Sequence, residues 1–144
     1  MAYTVKRIGP GDLDNNILDY IKTTLTKTAK MYDLPHNIEN MAIGQLALRH
    51  LVLVAYRDDV IAGFTIGIMS VSVFDITLKT LNQLTIYSDY PIATAKLVRY
   101  FIDFGKANAN LISMNTSKFA NIKGSTLEKL GFAKGDTEYR MEVQ

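Results

Sequence analysis

The sequence predicts an α/β fold (α+β in its mixed form): a mixed, mostly antiparallel sheet with one parallel β-α-β pair and helices on both faces. Two β-rich runs, Leu51–Arg57 and Val60–Phe74, flank a turn of two aspartates in a hairpin pattern. An amphipathic segment, Ala93–Gly105, lies between two further strand candidates, and a strand-helix-strand unit implies a parallel pair. The length of 144 residues predicts a single domain over residues 1–144.

The part before the hairpin contains one strand and two helices. Tyr3–Ile8 alternates as a short strand and stops at a Gly-Pro-Gly sequence. Asp12 is placed to cap a helix, and Asn37 is placed to cap a second one after a polar loop. The apolar stripes of these two helices are Leu13, Ile17, Ile21 and Leu25, then Ile38, Met41, Ala42 and Leu46.

The part after the hairpin alternates between strands and helices. Leu78–Tyr87 is predicted to be a strand, and the next helix buries Ala93, Leu97, Val98, Phe101, Ile102 and Gly105. Leu111–Asn115 is predicted to be a short buried strand and Thr137–Val143 the last strand. Between them, Asn121–Leu130 reads as a helix that ends at a glycine, which favours a helix C-terminus.

The composition excludes several functional classes. The chain has no cysteine and only two histidines, His36 and His50, so neither thiol catalysis nor a metal site is predicted. The longest uncharged run, Val60–Phe74, has 15 residues, short of the roughly 20 that a membrane helix needs. The N-terminus carries no apolar signal segment, so a cytoplasmic location without membrane contact is expected.

Positive charge is concentrated in the last third of the chain. The net charge is only +2, but residues 93–134 carry seven basic side chains against two acidic ones, a local excess of five. This segment predicts an acidic ligand or a solvated face. Nucleic-acid binding is not predicted, because there is no tryptophan, no reader motif and no interleaving of aromatic with basic residues.

Three local patterns, in this order, resemble the Gcn5-related N-acetyltransferase (GNAT) superfamily over nearly the whole chain. Val60–Phe64 follows a charged turn and looks like the family's third strand. Leu84–Ile86, a loop and then Lys96–Val98 look like its cofactor-binding strand, loop and helix. Leu127–Phe132 ends the last helix with a Leu-Gly-Phe corner that is common there. The chain is thus similar to a small, divergent member of that superfamily, of a kind that also occurs in phages.

The resemblance implies acetyl-CoA as the donor, with its pyrophosphate at a helix N-terminus, where unpaired N–H groups and the helix dipole favour anions. Lys96 and Lys123 are the expected phosphate partners, or else part of a solvated face. Ser117 and Asn121 would contact the pantetheine arm or only cap the last helix. The full set of candidate cofactor-binding residues is Leu84, Ile86, Ser88, Ala93, Lys96, Ser117, Asn121 and Lys123.

The sequence departs from the family pattern at three points. The loop from Ser88 to Thr94 has no glycine, although the family's phosphate loop is glycine-rich, and here Ser88 or Asp89 is expected to cap the helix with Pro91 in its first turn. Leu127 stands where many members have a tyrosine acid. The fourth strand offers no carboxylate base.

Candidate catalytic residues are His36, Gln83 and Tyr87, and candidate substrate-binding residues are Tyr32 and Asp75. His36 and Tyr32 belong to the loop that lines the acceptor site in similar proteins, and a histidine titrates near neutral pH. His36 is otherwise a surface histidine. Tyr87 would stack on adenine or close the cleft, and Asp75 would bind an amine or serve in a turn.

Two functions follow from the resemblance. The first is a divergent acyltransferase that moves an acetyl group from acetyl-CoA to an amine of a small molecule or a protein, acting by positioning. The alternative is a catalytically degenerate scaffold that works by protein contact, for instance as a phage or virion-associated component. A homo-oligomer is compatible with both.

Overall fold

The computed structural model describes residues 2–114 and 122–135. Their strands form one five-stranded sheet in chain order, antiparallel except for its last pair, which is parallel and sets Thr80 opposite Leu111. The strands are β1 (Tyr3–Arg7), β2 (Leu51–Arg57), β3 (Val60–Val71), β4 (Lys79–Ser88) and β5 (Leu111–Ser113).

Helices cover both faces of this sheet. Helices α1 and α2 bury Ile21 and Ile43 against one face, while α3 and α4 bury Phe101 and Leu127 against the other. The helices are α1 (Asn15–Met31), α2 (Asn40–Arg49), α3 (Pro91–Asn108) and α4 (Gly124–Lys129), and a short 3-10 helix (Pro10–Asp12) precedes α1. The predicted fold class is therefore confirmed.

Strand β2 shows why the chain needs helices on both faces. Leu51 and Leu53 belong to the core under α3, whereas Val52 and Val54 belong to the core under α1 and α2. All four are buried. A strand that is covered on both sides is apolar at every position, so alternation is lost and the sequence reads as a continuous hydrophobic run.

Two predicted helix caps were wrong. The Asp12 carboxylate accepts a hydrogen bond from the backbone N–H of Gly9 at 2.9 Å and closes the 3-10 turn, so it is not available to α1. Asp14 caps α1 instead, accepting from the N–H of Ile17 at 2.9 Å. Asn37 was expected to cap α2 but stays in the preceding loop, and the extended residue Glu39 is the N-cap.

The predicted strand ends also needed correction. Strand β3 stops at Val71 rather than Phe74, because the chain there turns into the loop to β4. Leu111 was expected to be buried but is 56% exposed, since it lies on the last described strand of the sheet. The predicted strand Thr137–Val143 lies wholly outside the described residues, as does Asn121 at the predicted start of the last helix.

Helix α3 lies very close to the sheet, as its apolar stripe predicted. A Cβ atom on Gly67 of β3 would come within 2.6 Å of the Phe101 ring, and one on Gly105 of α3 within 2.6 Å of Ile112. Real Cβ atoms do not approach so closely, so both positions exclude larger residues. These two glycines set the distance at which α3 packs, and this fixes where its N-terminus meets β4.

Candidate functional site

Strand β4 contains an irregularity at its centre. Ile66 of β3 pairs with Thr85, but the next residue, Gly67, pairs with Gln83, so Leu84 is one extra residue in β4. Such a bulge leaves the extra residue unpaired in the ladder and turns the side chains beyond it. It explains why Leu81 and Ile86 face the same core although they are five positions apart, an odd number that would place them on opposite faces of a regular strand. Leu84 itself is 58% exposed.

A buried polar pair lies beside this bulge. The Thr65 hydroxyl donates to the backbone carbonyl of Thr85 at 2.8 Å, and the Gln83 side-chain amide donates to the Thr65 hydroxyl at 3.4 Å. Both side chains are buried. Because buried polar groups need partners, these bonds favour the bulged register over a regular one.

The turn from β4 into α3 is built differently from the prediction. The Ser88 hydroxyl donates to the carbonyl of Tyr90 at 2.7 Å and accepts from its N–H at 3.1 Å, so it is occupied within the turn. Neither Ser88 nor Asp89 caps α3. The N-cap is Tyr90, whose side chain makes no capping hydrogen bond, and Pro91 occupies the first turn as expected.

The first turns of α3 carry two of the predicted cofactor-binding residues. Ala93 is fully buried, backbone included, so it offers no exposed surface to a ligand. Lys96 is exposed in the second turn. Lys123, also exposed, precedes α4 as its N-cap and makes no side-chain capping bond. Ile86 is buried under α3.

Asp89 connects three elements at the end of β4. Its two carboxylate oxygens accept one hydrogen bond each, from the hydroxyls of Tyr20 in α1 and Tyr87 in β4, both at 2.8 Å. Its backbone N–H donates to the carbonyl of Ala62 in β3 at 2.8 Å. The tyrosine rings lie 6.2 Å apart, and Tyr20 also packs edge-on against Phe64. We call Asp89, Tyr20 and Tyr87 the carboxylate hub.

Both hub tyrosines hold their protons more firmly than a free tyrosine does. Burial and the hydrogen bond to Asp89 raise the pKa of Tyr20 far above 10. The pKa of Tyr87 is raised chiefly by its own hydrogen bond to Asp89, with burial as a smaller cause. Since loss of either proton would place a phenolate beside a carboxylate, both hydroxyls remain donors to Asp89 at neutral pH.

The hub borders a cleft of about 400 Å³ along α1. A second cleft of about 370 Å³ lies on the other side of Asp89, where the Arg57 guanidinium stands 4.4 Å from the centre of the Tyr90 ring. The first cleft is lined by Asn16, Asp19, Tyr20, Thr23, Thr24, Lys27, Tyr87 and Asp89. Of the predicted catalytic and substrate-binding residues, Tyr87 alone is among them.

The remaining predicted residues lie elsewhere. His36 is exposed in the loop between α1 and α2, with Nδ1 3.2 Å from the carbonyl of Leu34. Tyr32 is the C-cap of α1. Asp75 lies in the loop after β3, where its carboxylate accepts from the N–H and hydroxyl of Thr77, which lowers its pKa. Ser117 and Asn121 fall outside the described residues.

Sequence reasoning missed the hub because its members are far apart in the chain. Tyr20 and Asp89 are separated by 69 positions, and no local pattern marks such a pair. Tyr20 lies outside the predicted apolar stripe of its helix and belongs to no motif, so it was not a candidate. Asp89 was expected to cap α3.

Two other kinds of site are missing from the described residues. Within residues 2–114 and 122–135, no three histidine, aspartate or glutamate side chains come together in a way that could hold a metal ion. None of the helices in these same ranges is long and apolar enough to cross a membrane.

Known proteins resemble this chain in structure rather than in sequence. No protein-family profile matches it, and neither does any curated protein. A ribosomal-protein-alanine N-acetyltransferase from Brucella melitensis biovar Abortus 2308 matches at a TM-score of 0.70 and 18% identity, covering 100% of this chain and 99% of its own. A transcriptional regulator from Bacillus halodurans C-125 matches at 0.72 and 15% identity, over 99% and 100% of the two chains.

A third solved structure was determined with acetyl-CoA. This predicted acetyltransferase from Clostridium acetobutylicum matches at a TM-score of 0.67 and 11% identity, covering 98% of this chain and 96% of its own. At such identities the likeness establishes the fold. The described residues therefore have the fold of these acetyltransferases, the fold that the resemblance to the GNAT superfamily implied.

Proposed function

We propose that this protein transfers an acetyl group from acetyl-CoA to an amine. The observation that carries the proposal is the arrangement around β4: a bulge at Leu84, followed seven residues later by the N-terminus of α3 at Pro91. The full-length likeness in fold to acetyltransferases, one of them with acetyl-CoA bound, supports it.

The residues around β4 fit the two ends of a coenzyme A ester. The N–H groups of the first turn of α3 donate no hydrogen bond to the Tyr90 side chain, so that cap does not occupy them. An exposed Lys96 follows one turn later. The Asp89 carboxylate, which was a predicted cap of this helix, accepts hydrogen bonds from two tyrosines instead. We assign the phosphates to this turn and to Lys96.

The thioester end is assigned to the bulge. Leu84 has no partner in β3, so its backbone groups are not used in that ladder. We expect the pantetheine chain to run past Leu84 and the backbone of Ile86. Ser117 and Asn121 stay candidate contacts of that chain, and Lys123 stays a candidate phosphate partner. Bound acetyl-CoA supplies an activated carbonyl carbon, which the protein places near the acceptor.

The reaction forms one bond and breaks another. A neutral amine attacks the thioester carbonyl carbon, a C–N bond forms, the C–S bond breaks and the thiolate leaves. The proton lost from the nitrogen ends, directly or through water, on the thiol. Strand β4 carries no carboxylate, so we assign the acceleration mainly to positioning of the two substrates. His36, Gln83 and Tyr87 remain our candidate catalytic residues, with Tyr32 and Asp75 as candidate acceptor contacts.

A thermal-shift titration with acetyl-CoA tests this assignment. At about 100 times its Kd, a ligand that binds only the folded state adds about 2.7 kcal/mol of stability, a shift of several degrees for a chain of this size. Lys96→Ala should weaken the shift. Lys106→Ala, an exposed lysine in the last turn of the same helix, should leave it unchanged.

Two results would contradict the proposal. The first is no shift at millimolar acetyl-CoA. The second is equal weakening by Lys96→Ala and Lys106→Ala, which would indicate general attraction to the basic segment. Release of free thiol in the presence of an amine then separates transfer from binding alone.

The predicted alternative, a scaffold that acts through protein contact, is favoured by one observation. The loop between β3 and β4 exposes Val73 and Phe74 by more than nine-tenths and Ile76 by 79%. Soluble monomers seldom expose adjacent large apolar groups in this way. Light scattering at rising concentration tests self-association: Phe74→Ser should abolish it, and Val60→Ser, at the exposed start of β3, should not. A monomer at all concentrations would argue against a homo-oligomer.

A further inference from the structure

The cleft along α1 has a chemical preference that follows from the direction of its hydrogen bonds. The hydroxyl protons of Tyr20 and Tyr87 both point to Asp89. What the hub offers to a ligand is therefore the remaining lone pairs of one carboxylate and two hydroxyl oxygens. A phosphate or carboxylate would find no donor there, whereas an ammonium group would find several acceptors.

The charges and aromatic rings of the cleft also favour an ammonium group. Asp19 adds a second carboxylate to the lining, next to Tyr20 in sequence. The rings of Tyr20 and Tyr87 lie 6.2 Å apart, and aromatic faces attract organic cations. A metal ion is disfavoured, since no third carboxylate or histidine of the described residues joins them.

The cleft is elongated rather than compact. Its α1 residues occupy one face of the helix at helical spacing from Asn16 to Lys27, which corresponds to about 16 Å along the axis. Lys27 lies eight residues from Asp19, about 12 Å away along the same axis. The negative end is therefore the hub end, and the far end repels a second positive charge.

The hub lies at a distance from the place assigned to the thioester. Leu84 and Asp89 are five positions apart in β4 and its continuation. An extended chain of this length spans at most about 16 Å. Thr85 and Tyr87, which come between them, pair with Ile66 and Phe64 and so share the α1 side of the sheet. An ammonium held at Asp89 is therefore not the amine that reacts at Leu84.

We propose that the carboxylate hub binds a second, non-reacting ammonium group of the acceptor, so that the acceptor is an aliphatic diamine or polyamine. This inference rests on the proposed acetyl transfer for the position of the reacting amine. Asp89 is then a specificity-determining residue that contacts the substrate. Tyr20 and Tyr87 position its carboxylate and add ring contacts to the bound cation.

Calorimetric titration of the protein with spermidine, without acetyl-CoA and at fixed ionic strength, tests the binding site. Asp89→Asn keeps the shape of the side chain and should weaken spermidine binding at least fivefold. Asp103→Asn, an exposed carboxylate on α3, should leave it unchanged. Circular dichroism verifies folding. Tyr20→Phe, which keeps the Asp89 charge, should give an intermediate loss if the hub orients the carboxylate.

An activity measurement separates this inference from the proposed function. With acetyl-CoA, spermidine should be acetylated with a higher kcat/KM than butylamine, and Asp89→Asn should reduce this preference by raising the KM for spermidine. Spermidine binding that is unaffected by Asp89→Asn, or equally lost in Asp103→Asn, would overturn the inference and leave acetyl transfer standing. Spermidine binding through Asp89 in a protein that does not bind acetyl-CoA would instead overturn the proposed function.

Discussion

Beyond their apolar cores, the two faces of the sheet are stabilised in different ways. Under α3 the contacts are apolar and so close that Gly67 and Gly105 exclude even a methyl group. On the α1 side, next to the end of β4, the helix is tied to the sheet by hydroxyl-to-carboxylate bonds to Asp89, and a cleft remains. The closely packed α3 face holds the helix and sheet in position, and the α1 face leaves room for a ligand.

This difference explains which part of the protein can hold a ligand site without loss of folding stability. A face packed to atomic contact loses stability with any change of volume. A polar rim that is partly exposed tolerates exchange of its hydrogen-bond partners with water or ligand. The comparison therefore predicts that substitutions on the α3 side have large effects on folding. Substitutions in the hub should have smaller effects on folding and larger effects on binding.

The largest effect on folding is expected from Gly67→Ala. The new Cβ would lie 2.6 Å from the Phe101 ring, and such overpacking costs about 1–3 kcal/mol. Urea unfolding measures the loss. Gly44→Ala is the matched control, because nothing lies within 4 Å of its Cβ and it is in the middle of α2. It should stabilise the protein by up to about 1 kcal/mol. Equal effects of the two changes would refute the close approach of α3.

A smaller effect is expected from the hub. A double-mutant cycle of Tyr87→Phe and Asp89→Ala should give a coupling energy of about 0.5–1.5 kcal/mol, since one hydrogen bond to a largely exposed carboxylate is removed. The same cycle with Tyr20→Phe should give a similar value. Unfolding in urea again supplies the measurement. A coupling energy near zero in both cycles would mean that the hub does not tie α1 to β4.

The smallest expected effect concerns the pH dependence of stability. It is absent at neutral pH and emerges only in alkali. Because the folded pKa values of Tyr20 and Tyr87 are raised above their unfolded value of about 10, their contribution is complete below that pH and is lost as pH rises above it. The double variant Tyr20→Phe, Tyr87→Phe should lose stability less steeply above pH 10. A residual slope is expected from Tyr56, whose pKa burial also raises. Parallel curves for the two proteins would contradict the hub.

The same contrast explains how much the sequence could predict. The two β-rich runs of the hairpin and the stripe of α3 are local patterns of residues, so the fold class and the parallel pair followed from them. The bulge at Leu84 could not be predicted from the sequence, because the register of β4 depends on the residues of β3 that lie opposite it. The Tyr20–Asp89 bond joins residues 69 positions apart, and only the assembled sheet brings them together.

The central claim is that the bulge of β4 and the first turn of α3 hold the two ends of a coenzyme A ester. Hydrogen exchange of the backbone amides, measured with and without coenzyme A, tests it most directly. The account predicts slower exchange in two separate places, at Leu84 and at Ile92, and no change in the middle of α2 around Gly44. Unchanged exchange at both places with millimolar coenzyme A, or protection confined to other segments, would contradict it.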